Sequence, residues 1–344
     1  MFRKNLMYAA IAAALGVSGT VWAGGNNATV TQVGYSNNGA ITQSSVNNAN
    51  ASIDQNGDNL TADIHQHTLG NPVGTISQTG SGHSAAIDQD NTFGATATIT
   101  QAGYNNHAGI SQVPGAGYAD SSTASITQTG NSSHGTIRQE GSHSSTAGIE
   151  QSTANGTATI NQINGDSNTA GIHQDNAFYT VAQIDQTGNS NVANIDQSSP
   201  TGNPYSDNSH AYISQSSAGN TATINQWSAY TSDASIYQSG GGSHSAYVQQ
   251  GEGSYLNASV NQFGGGGEGD EGASGEMATI YQSGEYNYAW VSQGGSGNVA
   301  NINQSGLGTA ESHNIATVTQ SGSGNHGTIN QSGGAGNNAS IWQN

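Results

Sequence analysis

His65 and His67 flank Gln66, and two imidazoles two residues apart on one strand face are a pattern that can chelate a metal ion. The plainer reading is two solvated histidines near a turn, and with the remaining histidines spread along the chain it is the reading adopted: no metal and no cofactor is expected. Paired Asp or Glu could serve a carbohydrate lyase or hydrolase built on a parallel β-helix. Here the acids are scattered through equivalent repeat positions and no repeat concentrates them. Gly-x-Ser-x-Gly, HExxH, a phosphate loop and the Gly-Gly-x-Gly-x-Asp calcium repeat are all missing. No enzymatic activity is expected.

The chemistry that does recur is that of a side-chain amide. The phrase small–x–(Ile/Val)–x–Gln occurs 26 times, from Gln32 to Gln343, mostly at spacings of 11 or 12. Early spacings alternate strictly, so the full period is about 23 residues in two halves; Gly34, Gly57, Gly80 and Gly103 also fall 23 apart. Ala28, Val30 and Gln32 lie two apart and share one strand face, while Thr29 and Thr31 point the other way. Between strands come Gly, Asn and Ser, which accept positive φ. All four prolines lie outside the five-residue phrase. A helical reading fails, because the internal period is 2.

One such repeat offers two branched residues to a core, worth roughly 3–6 kcal/mol. Ordering each backbone residue costs about 1–2 kcal/mol. A lone repeat therefore cannot fold, and copies must stack. The expected fold is all-β: an amyloid-like, two-sheet parallel β-solenoid (β-helix) of about 13 rungs, each of two short strands, roughly 60 Å long at ~4.8 Å per rung. Ile41, Gln43, Ile53, Gln55, Ile64, Gln66, Ile99, Gln101, Ile110, Gln112, Ile195, Gln197, Val291 and Gln293 are expected in its core ladder. A Gln above a Gln can donate to one neighbour and accept from the other, which explains why Gln closes all 26 copies of the phrase. In the outward slot no two acids are adjacent, and His173 separates Glu150 from Asp196.

Four spacings are long: 16 at Gln112–Gln128, 18 at Gln197–Gln215, 20 at Gln262–Gln282 and 16 at Gln304–Gln320. They read as loops bulging from turns, one of them carrying the acids Glu268, Asp270, Glu271 and Glu276. No domain boundary interrupts residues 24–344. Residues 1–23 read as a Sec signal peptide: Arg3 and Lys4, an apolar run from Leu6 to Val17, then small residues at −3 and −1 for cleavage between Ala23 and Gly24. The run is too short to span a bilayer, so no membrane insertion is expected.

Glycine supplies 50 of 344 residues and cysteine none, which excludes a disulfide framework. The formal charge is −18, and removing Arg3 and Lys4 with the leader takes it to −20, with Arg138 the one remaining cation. That balance argues against nucleic acid and anionic membrane as partners, and neither is expected.

The phrase Gln-x-Gly-x-x-Asn-x-Ala-x-x-x-Gln stands intact at Gln101–Gln112, Gln186–Gln197, Gln282–Gln293 and Gln293–Gln304, with near copies over about residues 26–343. In this the chain resembles the curlin family, the subunits of bacterial curli fibres. The resemblance implies export by Sec through the periplasm, passage through an outer-membrane pore with accessory factors, a nucleator subunit as partner, and polymerisation outside the cell into amyloid that scaffolds biofilm and adhesion. The chain departs from the family in carrying more repeats. It also lacks the Gly-rich segment of the major subunit, since Ala28 opens the first strand four residues after Gly24.

Both ends carry the same phrase, "NNATVTQ" and "NNASIWQN". Solenoids that stay monomeric cover their terminal rungs; here Ala28, Val30 and Gln32 at one end and Ala339, Ile341 and Gln343 at the other are expected to be open edges that join head to tail into a filament. The alternatives are a monomeric adhesin or ice-binding solenoid, for which Thr29/Thr31 and Thr98/Thr100 are suggestive but the rows break, a β-helix enzyme, or a disordered matrix protein. With a sequence pI of about 4.5, assembly is expected to quicken as pH falls toward that value or as salt rises; dye-monitored growth that is flat with both would contradict this.

Overall fold

The computed structural model describes residues 25–114, 119–152, 154–199, 208–241, 243–264 and 275–344. Two parallel sheets of thirteen strands each face one another, and successive half-repeats alternate between them. The first sheet starts with Asn27–Val33 and ends with His326–Gln331; the second starts with Asn38–Asn47 and ends with Asn338–Gln343. One strand from each makes a rung, so the expected solenoid of about thirteen rungs is the fold. Among the described residues no helix is long and apolar enough to cross a membrane.

The register follows the phrase. Ala28, Val30 and Gln32 sit beside Ala51, Ile53 and Gln55, and the same alignment runs to Ala300, Ile302 and Gln304 beside Gly327, Ile329 and Gln331. Long spacers do not disturb it: Gln101 pairs with Gln128, and Gln250 with Gln282. Between the sheets lies one continuous core of Ile, Val and Ala, in which Ile53, Ile76, Ile99, Ile126, Ile160 and Ile195 are among the buried side chains. Ile64, Ile110 and Val291 are likewise buried, whereas Ile41 and Ile341, in the end rungs, are only half-buried. Alternation of buried and exposed residues, as in Thr157–Ile163, places the Ala–Ile–Gln set inward and its neighbours outward.

Turns are closed by residues in the left-handed region, mainly Gly, Asn and Ser, for example Asn59, Asn105, Ser132 and Asn164. The recurring glycine has a steeper requirement. Gly57 has φ +149°, and a Cβ there would lie 1.8 Å from the carbonyl oxygen of Gly80; at Gly80, with φ +124°, it would lie 2.2 Å from that of Gly103. The chain stacks backbone on backbone at this corner, so a side chain has no room.

The long spacers have different fates. Residues 115–118, 200–207 and 265–274 lie outside the described residues, and with them Pro200, Pro204, Glu268, Asp270 and Glu271; so do residues 1–24, with the leader and its Ala23–Gly24 junction. After Gln112 the chain returns through Ala119–Asp120, which pairs with Thr92–Phe93. The spacer before Gln320 closes with an antiparallel bridge from Thr309 to Ser312. Glu276 corrects the sequence reading. It is no loop acid: it is buried at the corner leading into Met277–Glu285, its carboxylate accepting from the Asn298 backbone N–H at 2.8 Å and the Asn298 amide at 3.3 Å.

Gly57→Ala is expected to destabilise the stack by about 1–3 kcal/mol through strain and carbonyl overlap. Gly109→Ala, where an added Cβ meets nothing within 4 Å, is expected to be nearly neutral. Denaturant midpoints of the two variants check this.

Candidate assembly surface: amide ladders and end rungs

The glutamines form two unbroken columns. In the first sheet Gln32 Nε2 donates to Gln55 Oε1 at 2.6 Å, Gln55 to Gln78 at 2.9 Å, Gln78 to Gln101 at 2.8 Å, and so on to Gln304 and Gln331 at 2.7 Å. In the second, Gln43 donates to Gln66 at 2.9 Å, Gln66 to Gln89 and Gln89 to Gln112 at 2.8 Å, and the column ends with Gln320 to Gln343 at 2.7 Å. The second amide hydrogen crosses to the facing sheet: Gln55 Nε2 to Asn38 O at 3.1 Å, Gln197 to Val181 O at 3.3 Å, Gln293 to Met277 O at 3.0 Å. Each amide therefore ties its rung to the next and one sheet to the other. Buried as Gln55, Gln66, Gln197 and Gln293 are, an unmet amide would cost several kcal/mol.

A second ladder was not foreseen. It stands at the corner just before each strand. Asn26 Oδ1 accepts from Ala49 N at 3.0 Å, Asn106 from Ser133 N at 3.0 Å, Asn168 from Asn191 N at 2.9 Å, Asn191 from Asn220 N at 2.9 Å and Asn298 from Asn325 N at 2.9 Å. A side chain of one rung thus caps a backbone N–H of the next. Histidine fills the same role twice: Nδ1 of His83 accepts from Asn106 N at 3.1 Å, and that of His244 from Glu276 N at 3.2 Å. Their Nε2 atoms lie 3.1 Å from the carbonyls of Thr79 and Ser239, so Nε2 carries the hydrogen and both rings are neutral. Burial holds both imidazoles below their ordinary value. Burial pushes the Glu276 carboxyl upward, partly offset by its two bonds to Asn298.

The outward columns keep like charges apart, as expected. Glu150, His173 and Asp196 are successive neighbours, with His173 Nδ1 3.3 Å from Asp196; that bond raises the imidazole and lowers the carboxyl. Asp185 takes three donors, from Asn161, Gln183 and Tyr212, at 2.7, 2.7 and 2.8 Å.

At the two ends these ladders stop. Among the described residues no rung precedes Gln32 and Gln43, whose Oε1 atoms stand where every later rung receives a Gln donor. None follows Gln331 and Gln343, whose Nε2 atoms donate to Ile315 O at 2.8 Å and His326 O at 3.0 Å. The strand Asn27–Val33 is exposed throughout, with Val30 at 43%; in Asn338–Gln343 the residues Ala339, Ile341 and Gln343 are half-buried. Asn325 and Asn337 occupy the capping position in the last rung.

A family model described as the curlin associated repeat matches residues 73–103, 95–130 and 277–306. In these stretches the chain carries the curlin repeat. Two of the matched windows hold the phrase from Gln101 to Gln112 and that from Gln282 to Gln293, so the residues matched are the ones building the ladders. No curated protein matches the chain. The matched stretches lie within the two-sheet parallel solenoid.

The neutral, buried His83 sets a pH dependence. Its folded pKa lies below the ordinary 6.5, so between the two values the unfolded chain binds a proton the fold refuses. Its contribution is intact above about 6.5 and is lost as pH falls toward the depressed value. His83→Asn restores the residue found at Asn106 and is expected to flatten the fall in denaturant midpoint between pH 7 and pH 5; parallel curves for the two proteins would contradict it. Glu276 works in the opposite sense. Its raised carboxyl contributes below its ordinary value and loses that contribution as pH rises through the raised one, so Glu276→Gln is expected to flatten that part of the denaturant midpoint's pH profile.

Proposed function

We propose that this chain is a structural subunit of an extracellular, curli-like amyloid fibre, polymerising head to tail and serving biofilm matrix and adhesion. The observation that carries the reading is the pair of interrupted ladders: acceptors stand open at the first rung, donors and caps at the last. The joint continues the internal register. His326–Gln331 receives Asn27–Gln32 of the next copy, with Ile329 beside Val30 and Gln331 donating to Gln32. Asn338–Gln343 receives Asn38–Gln43, with Ile341 beside Ile41 and Gln343 donating to Gln43. Asn325 and Asn337 cap the backbone N–H groups of Asn26 and Asn37. The contact is heterologous and does not close, so it grows a filament.

Secretion is part of this reading, supported by the leader-like first 23 residues and by the resemblance to curlin repeats. The partners in this reading are further copies of the chain, a nucleating subunit, and an outer-membrane pore with accessory factors. No catalytic role is assigned.

The purified chain in neutral buffer is expected to form long fibres with cross-β diffraction, seen by electron microscopy. Ile341→Pro removes a ladder N–H at the last rung, and a bulky globular domain fused at Asn344 blocks that end. Each is expected to slow elongation on the order of tenfold or more: the N–H of Ile341 faces the preceding strand of its own chain, and losing that bond, about 1.4 kcal/mol, frays the rung on which the next copy docks. Growth undiminished by both changes, or a chain that stays an ordered monomer at high concentration, would overturn the reading.

A further inference from the structure

The register does something for His65 and His67 that their sequence spacing does not reveal. Thr61–Gly70 lies beside Ser84–Asp90 in the second sheet, and His65 pairs with Asp88 while His67 pairs with Asp90. Two imidazoles and two carboxylates thus occupy the corners of one small rectangle on the outer face, about 7 Å along the strands and about 4.8 Å between them. His65, His67 and Asp88 are exposed and Asp90 is half-buried. We propose that this grid binds one first-row divalent transition ion of the zinc or copper class.

The donor set fits that class. Two imidazole nitrogens with one or two carboxylate oxygens suit zinc and copper, which bind such atoms at about 2.0–2.2 Å. His-x-His on one strand with a third ligand from the adjacent strand converges from a single sheet face, so no loop need close over the ion. No two acids pair across the strands there, yet three lie near one another along the face. Asp63, Asp88 and Asp90 share the face, and the Asp88 carboxyl is pushed up by partial burial and by Asp90 and Asp63, against the opposing pull of His65 and His67. A dication answers that crowding. The approach is open, because the flanking outward residues are Thr42 and Ser44 on one side and Ser111 on the other.

As the side chains stand, His67 Nδ1 lies 3.0 Å from Asp90, and no three donors meet at one point. The change required is rotation of exposed side chains on a backbone that the ladders hold fixed. Other His–Asp neighbours lack the second imidazole: His173 with Asp196, and His210 with Asp233 at 2.9 Å. All four ligands belong to one chain, so the site is independent of polymerisation. It revises the sequence reading of two merely solvated histidines.

The test uses the full mature chain, with Zn²⁺ in calorimetry and Cu²⁺ in electron paramagnetic resonance. One ion per chain is expected, with hyperfine coupling from two imidazole nitrogens. Substituting His65→Thr and His67→Ser together, the types found at Thr42 and Ser44, should abolish binding. Asp88→Asn should weaken it about tenfold or more, and His210→Asn should leave it unchanged. Binding that survives the double substitution, coupling from a single nitrogen, or no uptake of either ion would overturn the proposal. A second measurement needs no variant. Zn²⁺ should shield His65 and His67 from diethylpyrocarbonate while His210 stays reactive, and equal labelling of all three would equally overturn it.

Discussion

Every rung of this molecule obeys a constraint that acts at one distance: each inward residue must tolerate its counterpart about 4.8 Å away. Few side chains do. Isoleucine packs on isoleucine without loss. A neutral amide goes further, because it is both donor and acceptor and turns the repeat into an attraction, as the contacts of 2.6–2.9 Å from Gln32 to Gln78 illustrate. A carboxylate would face its own charge at that spacing. The composition is explained by this: Ile, Gln and Ala inward, Gly where backbones meet, and charges placed outward beside partners of another kind, as Glu150, His173 and Asp196 are.

What could be read from the sequence was whatever the repeat kept constant. The strands, their inward face, the in-register pairing and the glutamine columns all follow from one five-residue phrase recurring at two spacings, and a period-2 pattern has a single way to bury Ile53, Ile76 and Ile99 together. Insertions were legible as insertions, since residues between two copies of a phrase cannot alter how those copies pair. The corner ladder was hidden because its members share a task and not a type. Asn106, His83, Ser122 and Glu276 alternate there with Ala49 and Leu60. Where the cap fails, the need for it can vanish too: Ala49 has no acceptor to offer, and the next residue in that column is Pro72, which has no N–H to satisfy.

The buried place of Glu276 and the carboxylates opposite His65 and His67 escaped for a related reason. Both depend on what lies one rung away. A residue's sequence neighbours describe its own strand, and its chemical environment is set as much by residues some 23 positions distant. Glu276 looks like a member of an acidic loop until the chain behind it, at His244, and ahead of it, at Asn298, is brought alongside. Likewise the pair His65 and His67 offers two donors on its own strand and becomes a four-donor face once Asp88 and Asp90 are placed opposite.

The ladders also carry a direction. In both columns every amide bond runs the same way, from Nε2 of one rung to Oε1 of the rung that follows, and the Asn caps of the corner act in the same sense, accepting from the N–H of the next rung. The stack is therefore polar, and its ends are chemically unlike: acceptor oxygens at Gln32 and Gln43, donor nitrogens and caps at the other. Two first rungs brought face to face would oppose oxygen to oxygen, and two last rungs would oppose donor to donor, so a symmetric dimer leaves buried amides unmet. Only unlike ends complete the hydrogen bonding. In the fibre proposed above, that requirement would favour open, head-to-tail growth through the same interaction that holds one rung on the next inside a single chain.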